Sequence, residues 1–263
     1  MRRFIIIFLV LPYLLSAQIN QTDANGLRQG HWEKRQDNGR LIYEGDFKDG
    51  KPVGEWKRYH PGGQLKAIIS YRGDTAHTRL FDVWHKKLTE GNYVNQKKQG
   101  VWKIYDKNEL LTADEEFVDG VKNGVAHQYF DTGEVMEKSH WKNGKKDGAY
   151  EVFYKDGQAY LQCKMKEGQR HGLFLVFYEN GQPEREGAYV NGLRDGEWKF
   201  YDPEENYSYS LFYDKGKILN PQVRDSIDNL KIQELEKNKN MLADPEKFMN
   251  DPSEYMRKSK MFR

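Results

Sequence analysis

Glycine recurs in this chain with a fixed period. Gly148, Gly172 and Gly196 lie 24 residues apart, Gly100 and Gly124 share their phase, and Gly30 and Gly54 are themselves 24 apart. The one irregular step, 46 residues from Gly54 to Gly100, leaves room for a degenerate unit anchored near Thr78. A second series runs four residues ahead of the first: Gly26, Gly50, Gly120, Gly144, Gly168 and Gly192, continued by Gly216. A third, Gly39, Gly63, Gly133, Gly157 and Gly181, keeps the same spacing. Three glycine series locked in phase define a structural repeat, in which each unit is too small to bury a face alone and must stack on its neighbours.

The unit reads as a β-hairpin. Asn38-Gly39, Asp156-Gly157 and Asn180-Gly181 pair residues that accept positive φ, and they predict tight hairpin turns between strands. Two residues after each anchor stand Trp32, Trp56, Leu80, Trp102, Ala126, Tyr150, Phe174 and Trp198. Side chains alternate faces along a strand, so Ile104, Val152, Val176 and Phe200, two residues further on, share that face. The second strand contributes Phe47, Tyr71, Tyr93, Phe117, Trp141, Met165, Tyr189 and Tyr213. Rows of rings stacked from unit to unit would supply the continuous core that single hairpins lack. Five after the anchor, on the opposite face, come Tyr59, Val83, Tyr105, Tyr129, Phe153, Phe177 and Tyr201. This row reads either as a second packing ladder or as an exposed strip in which Tyr59, Tyr105, Tyr129 and Tyr201 meet a partner. The unit from about Gly73 to Asn95 lacks the turn glycine, carries Trp84-His85-Lys86-Lys87 instead and is two residues short, through drift or as a bend where a partner docks.

Composition fits a thin repetitive sheet. Of 263 residues, 37% are hydrophobic and 31% charged, with mean hydropathy −0.95, too polar for a thick core, while 14% aromatic content argues against disorder. The expected fold is all-β: an elongated single-sheet array of about eight 24-residue β-hairpin repeats over residues 25–216, after a short lead at 18–24, with a C-terminal helical tail over 217–263.

The start of the chain has the order of a secretory signal: Arg2-Arg3, an apolar run from Phe4 to Leu15, then Ser16-Ala17-Gln18. Cleavage is expected after Ala17, making 1–17 a signal peptide and placing the protein in the periplasm, outside the cell or on its surface. Removing two arginines from a formal charge of +2 leaves about zero, and no bias toward nucleic acid. The single cysteine, Cys163, excludes an internal disulfide.

Tyr43-Glu44-Gly45-Asp46-Phe47-Lys48-Asp49-Gly50-Lys51-Pro52-Val53-Gly54-Glu55-Trp56 resembles the MORN repeat. Glu186-Gly187-Ala188-Tyr189-Val190-Asn191-Gly192-Leu193-Arg194-Asp195-Gly196-Glu197-Trp198 is similar to its bacterial variant, a family often labelled YwqK-like antitoxin. The resemblance covers roughly residues 25–216. It implies an elongated sheet of stacked hairpins and carries no catalytic residue over to this chain.

Beyond Gly216 the period stops. Asn220-Pro221 starts a helix expected to run to about Leu242, with Val223, Ile227 and Leu230 toward the last hairpin and Asp225, Asp228 and Lys231 toward water. Asp251-Pro252-Ser253-Glu254 repeats the start signal. The tail reads as a lid over the last edge strand or, through its apolar and basic end from Tyr255 to Arg263, as a docking segment for a partner or an anionic membrane surface.

Catalytic signatures are missing: no G-x-S-x-G, H-E-x-x-H, P-loop or dinucleotide fingerprint occurs. His31, His60, His77, His85, His127, His140 and His171 fall in different phases, and only His77 with His85 hints at a ligand pair. Cys163 takes a position where other units carry Gly45, Gly91, Ser139 and Gly187, so packing accounts for it. Glu115-Glu116 and Glu204-Glu205 read as solvated. No catalytic, cofactor or metal site is expected. The structural residues are Gly30, Trp32, Gly54, Trp56, Gly100, Trp102, Gly124, Gly148, Gly172, Gly196 and Trp198. The functional expectation is a non-enzymatic scaffold or adaptor for envelope proteins. The alternative is a module binding cell-wall glycan or another ligand between aromatic rings, with an antitoxin role behind both.

Overall fold

The structure is a computed structural model that describes residues 19–203 and 206–238. The expected signal peptide, the helix beyond Asn238 and the second helix start at Asp251 lie outside the described residues. Among the described residues the chain is all-β apart from one helix, and it forms two compact units. Of the described residues, the first holds those up to Lys146 together with Lys155–Gly157, and the second holds Asp147–Tyr154 and those from Gln158 on.

In the first unit, ten antiparallel strands follow a two-residue starter: β1 (Gln21–Thr22), β2 (Arg28–Arg35), β3 (Leu41–Lys48), β4 (Lys51–Tyr59), β5 (Leu65–Arg72), β6 (Thr75–Phe81), β7 (Lys87–Val94), β8 (Lys97–Tyr105), β9 (Leu111–Val118), β10 (Val121–Tyr129) and β11 (Val135–Lys142). Each pairs with the strands before and after it in sequence, from β1–β2 through β10–β11. The second unit continues the scheme with β12 (Lys145–Phe153), β13 (Ala159–Lys166), β14 (Gln169–Phe177), β15 (Pro183–Val190), β16 (Leu193–Tyr201), β17 (Tyr207–Asp214) and β18 (Lys217–Ile218), then α1 (Pro221–Asn238).

The turns exchange the roles the sequence suggested. Tight two-residue hairpins lie at the second glycine series, among them Asp49-Gly50, Asp119-Gly120, Asn143-Gly144, Glu167-Gly168 and Asn191-Gly192, where both central residues have positive φ, as a type I′ turn demands. The Gly39, Gly157 and Gly181 turns are longer loops, each with positive φ at the glycine only. Among the fully described loops, two lack glycine. His85 and Glu109 take φ 66° and 63° in its place, and in each the loop's leading aspartate, Asp82 or Asp106, accepts two backbone N–H groups on one carboxylate oxygen.

The anchor glycines sit inside strands. Between β3 and β4 the register runs Asp46↔Val53 and then Glu44↔Lys57, two residues against four, so the extra pair around Gly54 bulges out with φ 67°. The same step recurs at Asn92↔Gln99 and Glu90↔Lys103, and at Ala188↔Asp195 and Glu186↔Lys199. The short unit has no such bulge: β5 and β6 pair without interruption from Arg72↔Thr75 to Ala67↔Leu80. Its two missing residues are the bulge. That deletion moves the alignment, and Thr78, in place of Leu80, stands level with Trp56 and Trp102, while Phe81 replaces Val83 in the row beyond. Val83 is an exposed loop residue.

Both edge strands are closed by an asparagine. At β2, Asn20 donates its N–H to His31 O, and its Oδ1 accepts from Glu33 N–H at 2.9 Å. At β17, Asn220 Oδ1 accepts from Phe212 N–H at 2.8 Å and its Nδ2 donates to Ser210 O at 3.0 Å. The Leu219 N–H donates to Phe212 O beside it. An open edge is thus covered chiefly by the chain that precedes the helix. Val223 packs on the core of the second unit, but Leu230 is 62% exposed, against the expectation that it faces the last hairpin. No described helix is long and apolar enough to cross a membrane.

Candidate binding recess and the rows around it

One face of each unit carries the buried aromatic row. Trp56, Trp102 and Trp198 are buried, the last two almost completely, each with its indole N–H donated to a backbone carbonyl of the preceding strand: Asp46, Asn92 and Ala188. Rings from the flanking strands meet the indole edge to face. Trp56 lies 4.8 Å from Phe47 and 6.2 Å from Tyr71, and Trp198 lies 5.1 Å from Tyr189 and 6.1 Å from Tyr213.

What lies beneath the indole explains Gly45, Gly91 and Gly187. A Cβ at any of these would come within 2.3–2.4 Å of the tryptophan above. Only glycine leaves room for the ring. Where the ring is absent the glycine is too: Ile69 pairs with Thr78, and Glu115 with Ala126. Cys163 pairs with the smaller Phe174 and is buried, in keeping with a packing role.

A cation closes the row from above. Arg194 lies 4.4 Å from the Trp198 ring, Lys98 4.5 Å from Trp102, Arg170 5.1 Å from Phe174 and Lys122 3.9 Å from Trp141. In register each cation stands across from the ring or Met165 of the strand before it: Lys98↔Tyr93, Lys122↔Phe117, Arg170↔Met165, Arg194↔Tyr189. At the two equivalent places around the short unit, Pro52↔Phe47 and Ala76↔Tyr71, no cation is present.

The loss of indole and cation together opens a recess of about 520 Å³. Tyr71 and Tyr93 wall it, and Ala67, Ala76, Thr78 and Leu80 form much of its floor. Its rim carries Lys51, Arg58 and Lys66 against a single acid, Asp74. Those three cations join no ion pair among the described residues. The volume falls within the roughly 300–1,000 Å³ of ordinary ligand pockets.

The opposite face is polar, and its tyrosine row is a ladder of paired side chains. Tyr59 donates its hydroxyl to Glu44 at 2.5 Å, Tyr129 to Asp114 at 2.5 Å and Tyr201 to Glu186 at 2.9 Å, and Tyr105 donates likewise to Glu90. Burial first, and the neighbouring carboxylate second, push the Tyr59 and Tyr129 phenols up to about 12 and raise Tyr105 and Tyr201 in the same direction. All four are half-buried. The carboxylate appears only where a hydroxyl can use it: Phe81 and Phe177 stand with Ile68 and Gln162. This correlation between units is readable in the sequence, fifteen residues apart in regular repeats, and is the signal that would have shown the row to be engaged.

Of the structural glycines, Gly30, Gly54, Gly100, Gly124, Gly148, Gly172 and Gly196 all have positive φ. Trp32 is half-buried against Phe47, with Arg28 above it. His77 bonds Asn92 at 2.9 Å while His85 occupies a turn, and among the described residues no group of three His, Cys, Asp or Glu side chains is placed to hold a metal ion. Glu115 and Glu116 are not simply solvated. Lys122 Nζ donates to Glu115 at 2.8 Å, and the Val125 N–H donates to Glu116.

The family described as MORN repeat variant matches residues 52–72 and 170–191, one stretch in each unit. Those stretches are MORN-variant repeats, and MORN repeats are protein- and ligand-binding repeat modules. No curated protein matches the chain. Among solved structures, a mutant of S. aureus TarM in complex with fondaparinux, alpha-GlcNAc-glycerol and UDP is similar at 10% identity and TM-score 0.22, over 41% of this chain and 19% of its own. A second TarM structure is similar at 12% identity and TM-score 0.22, over 40% and 18%. The match spans about a fifth of each TarM chain, and the TM-scores are too low to bear on fold or function.

Proposed function

We propose that this protein is a non-enzymatic interaction scaffold of the bacterial cell envelope, holding protein partners on its hairpin array. The observation that carries this reading is the recess at Thr78. At Trp102 and Trp198 an indole and a cation close the aromatic row; here smaller residues replace both and leave a recess with tyrosine walls and a charged rim over the buried Thr78 and Ala67. The tyrosine ladder supports a rigid polar platform on the other face, since its hydroxyls are already engaged. The apolar run before Ser16-Ala17 supports export.

Affinity capture from envelope extracts by the mature chain, with an array lacking residues 25–119 as control, tests the scaffold. A specific protein lost with the truncation is expected, and recovery of the same background from both counts against the reading. Mass spectrometry of the envelope protein should find Gln18 as its first residue. A retained Met1 would overturn the envelope placement. A second reading is favoured by one feature: Tyr71 and Tyr93 beside Asp74, Asn95 and Gln96 could hold a sugar ring, which co-sedimentation with cell-wall glycan would detect.

A further inference from the structure

The recess has a shape that the rest of the molecule identifies. In a regular unit the indole sits between a ring of the preceding strand and one of the following strand, as Trp56 does between Phe47 and Tyr71. At Thr78 the two flanking rings, Tyr71 and Tyr93, are still in place and the central ring is missing. Ile69, standing where a tryptophan would need glycine, takes back part of the room, and about 520 Å³ is left. An aromatic ring entering from outside would meet the two tyrosines as Trp56 meets its neighbours. Ala76, where Lys98 and Arg194 stand in other units, leaves the entrance unobstructed.

Charge narrows the class further. The recess is rimmed by Lys51, Arg58 and Lys66 with only Asp74 opposed, and the three cations have no ion-pair partner among the described residues. A ring with carboxylates beside it would satisfy them, whereas one flanked by lysines would be repelled. We propose that the Thr78 recess is the docking pocket for an aromatic side chain from an acidic segment of a partner protein. This rests on the scaffold reading and names the chemistry of the partner. The ring lies between Tyr71 and Tyr93, and the flanking acids meet Arg58 and Lys66 at one end of the recess and Lys51 at the other. The ring supplies the apolar contact, and the acids set the selection among partners.

The test uses the mature chain and three probes: an acetylated, amidated peptide Asp-Glu-Trp-Asp-Glu, the same peptide with lysine at every acidic place, and indole-3-propionate. Calorimetry should show the acidic peptide binding at least about tenfold more tightly than the lysine peptide, and more tightly than the small acid. Ile69→Gly/Thr78→Trp installs the missing plug together with the glycine it needs, and should abolish peptide binding. Arg58→Glu, at an exposed position that leaves the fold intact, should weaken the acidic peptide by at least about tenfold and strengthen the lysine peptide. Equal binding of both peptides, or an unchanged affinity in Arg58→Glu, overturns the proposal. So does binding of indole-3-propionate as tight as the peptide, which would mark a small-molecule site. If the plugged variant still captures the wild-type partner from envelope extracts, the pocket proposal falls and the scaffold reading stands. If the acidic peptide binds as expected but no partner is captured, the scaffold reading falls instead.

Discussion

The slots at Trp198 and Thr78 occupy the same place in the repeat and are built by opposite means. At Trp198, glycine beneath, tyrosines on both sides and an arginine above enclose an indole completely. In the other slot the indole is Thr78 itself, the glycine is Ile69, the arginine is Ala76 and the bulge is deleted, so four linked features change together. Trp102 and Trp198 are enclosed almost completely where ring, glycine and cation are all supplied. Removing the set opens a recess without breaking the ladder of backbone bonds, which runs unbroken from Arg72↔Thr75 to Ala67↔Leu80.

The sharpest way to break the comparison is to remove the plug. Trp102→Ala and Trp198→Ala delete indoles that are almost wholly buried, and each should cost about 3–5 kcal/mol in urea titration. Thr78→Ala removes a hydroxyl whose one contact, to Ala76 O, is long at 3.4 Å, and should cost about 1 kcal/mol or less. Equal losses at Thr78 and Trp102 would show that the short unit is packed like the others and that the recess is not open.

Next comes the floor. Gly187→Ala drives a methyl to 2.3 Å from the Trp198 ring, and Gly91→Ala meets Trp102 in the same way, so each should cost about 1–3 kcal/mol. These glycines have no positive-φ requirement, so the loss measures ring contact rather than backbone strain. Cys163→Ala, under the smaller Phe174, should be milder. A neutral Gly187→Ala would mean that the indole can shift, and that the match between glycine and tryptophan is not what fixes the row.

Much of this design is legible in the sequence. The 24-residue phase, the strand assignment, the shared face of Trp198 with Val176 and Phe200, and the second row of rings all follow from alternation and spacing. Counting from glycine anchors puts Thr78 two residues out of its row because it assumes a bulge in every unit, and here the bulge itself is gone. Asn-Gly is permissive wherever it stands, so residue type alone points to Asn38-Gly39 for the tight turn; Asp49-Gly50 is a place where both residues have positive φ. The edge caps at Asn20 and Asn220 could not be read, since each depends on a side chain folding back onto a strand eight or more residues away. The recess required three absences to coincide in space, and no single residue announces it.

The smallest expected effect separates the rungs on the polar face. Tyr59 and Tyr129, held by Glu44 and Asp114, have phenols raised to about 12, whereas the short unit has Phe81 and Ile68 in their places and no phenol to titrate. Unfolded tyrosine titrates near about 10. The folded state therefore keeps its proton where the unfolded chain has lost it, and stability falls as pH rises from about 10 to about 12. Below about 10 both states are protonated and this contribution is fully present. Ultraviolet titration of the native protein should show at least two tyrosines ionising later than the free phenol. Tyr59→Phe with Tyr129→Phe should remove those two from the titration and flatten the alkaline slope of urea stability. Tyr178 and Tyr209, raised mainly by burial, leave part of that slope behind. Titration of Tyr59 and Tyr129 at the ordinary value would mean that their carboxylate bonds open in solution. The row would then be available to partners, and the contrast between a closed polar ladder and one open recess would fail.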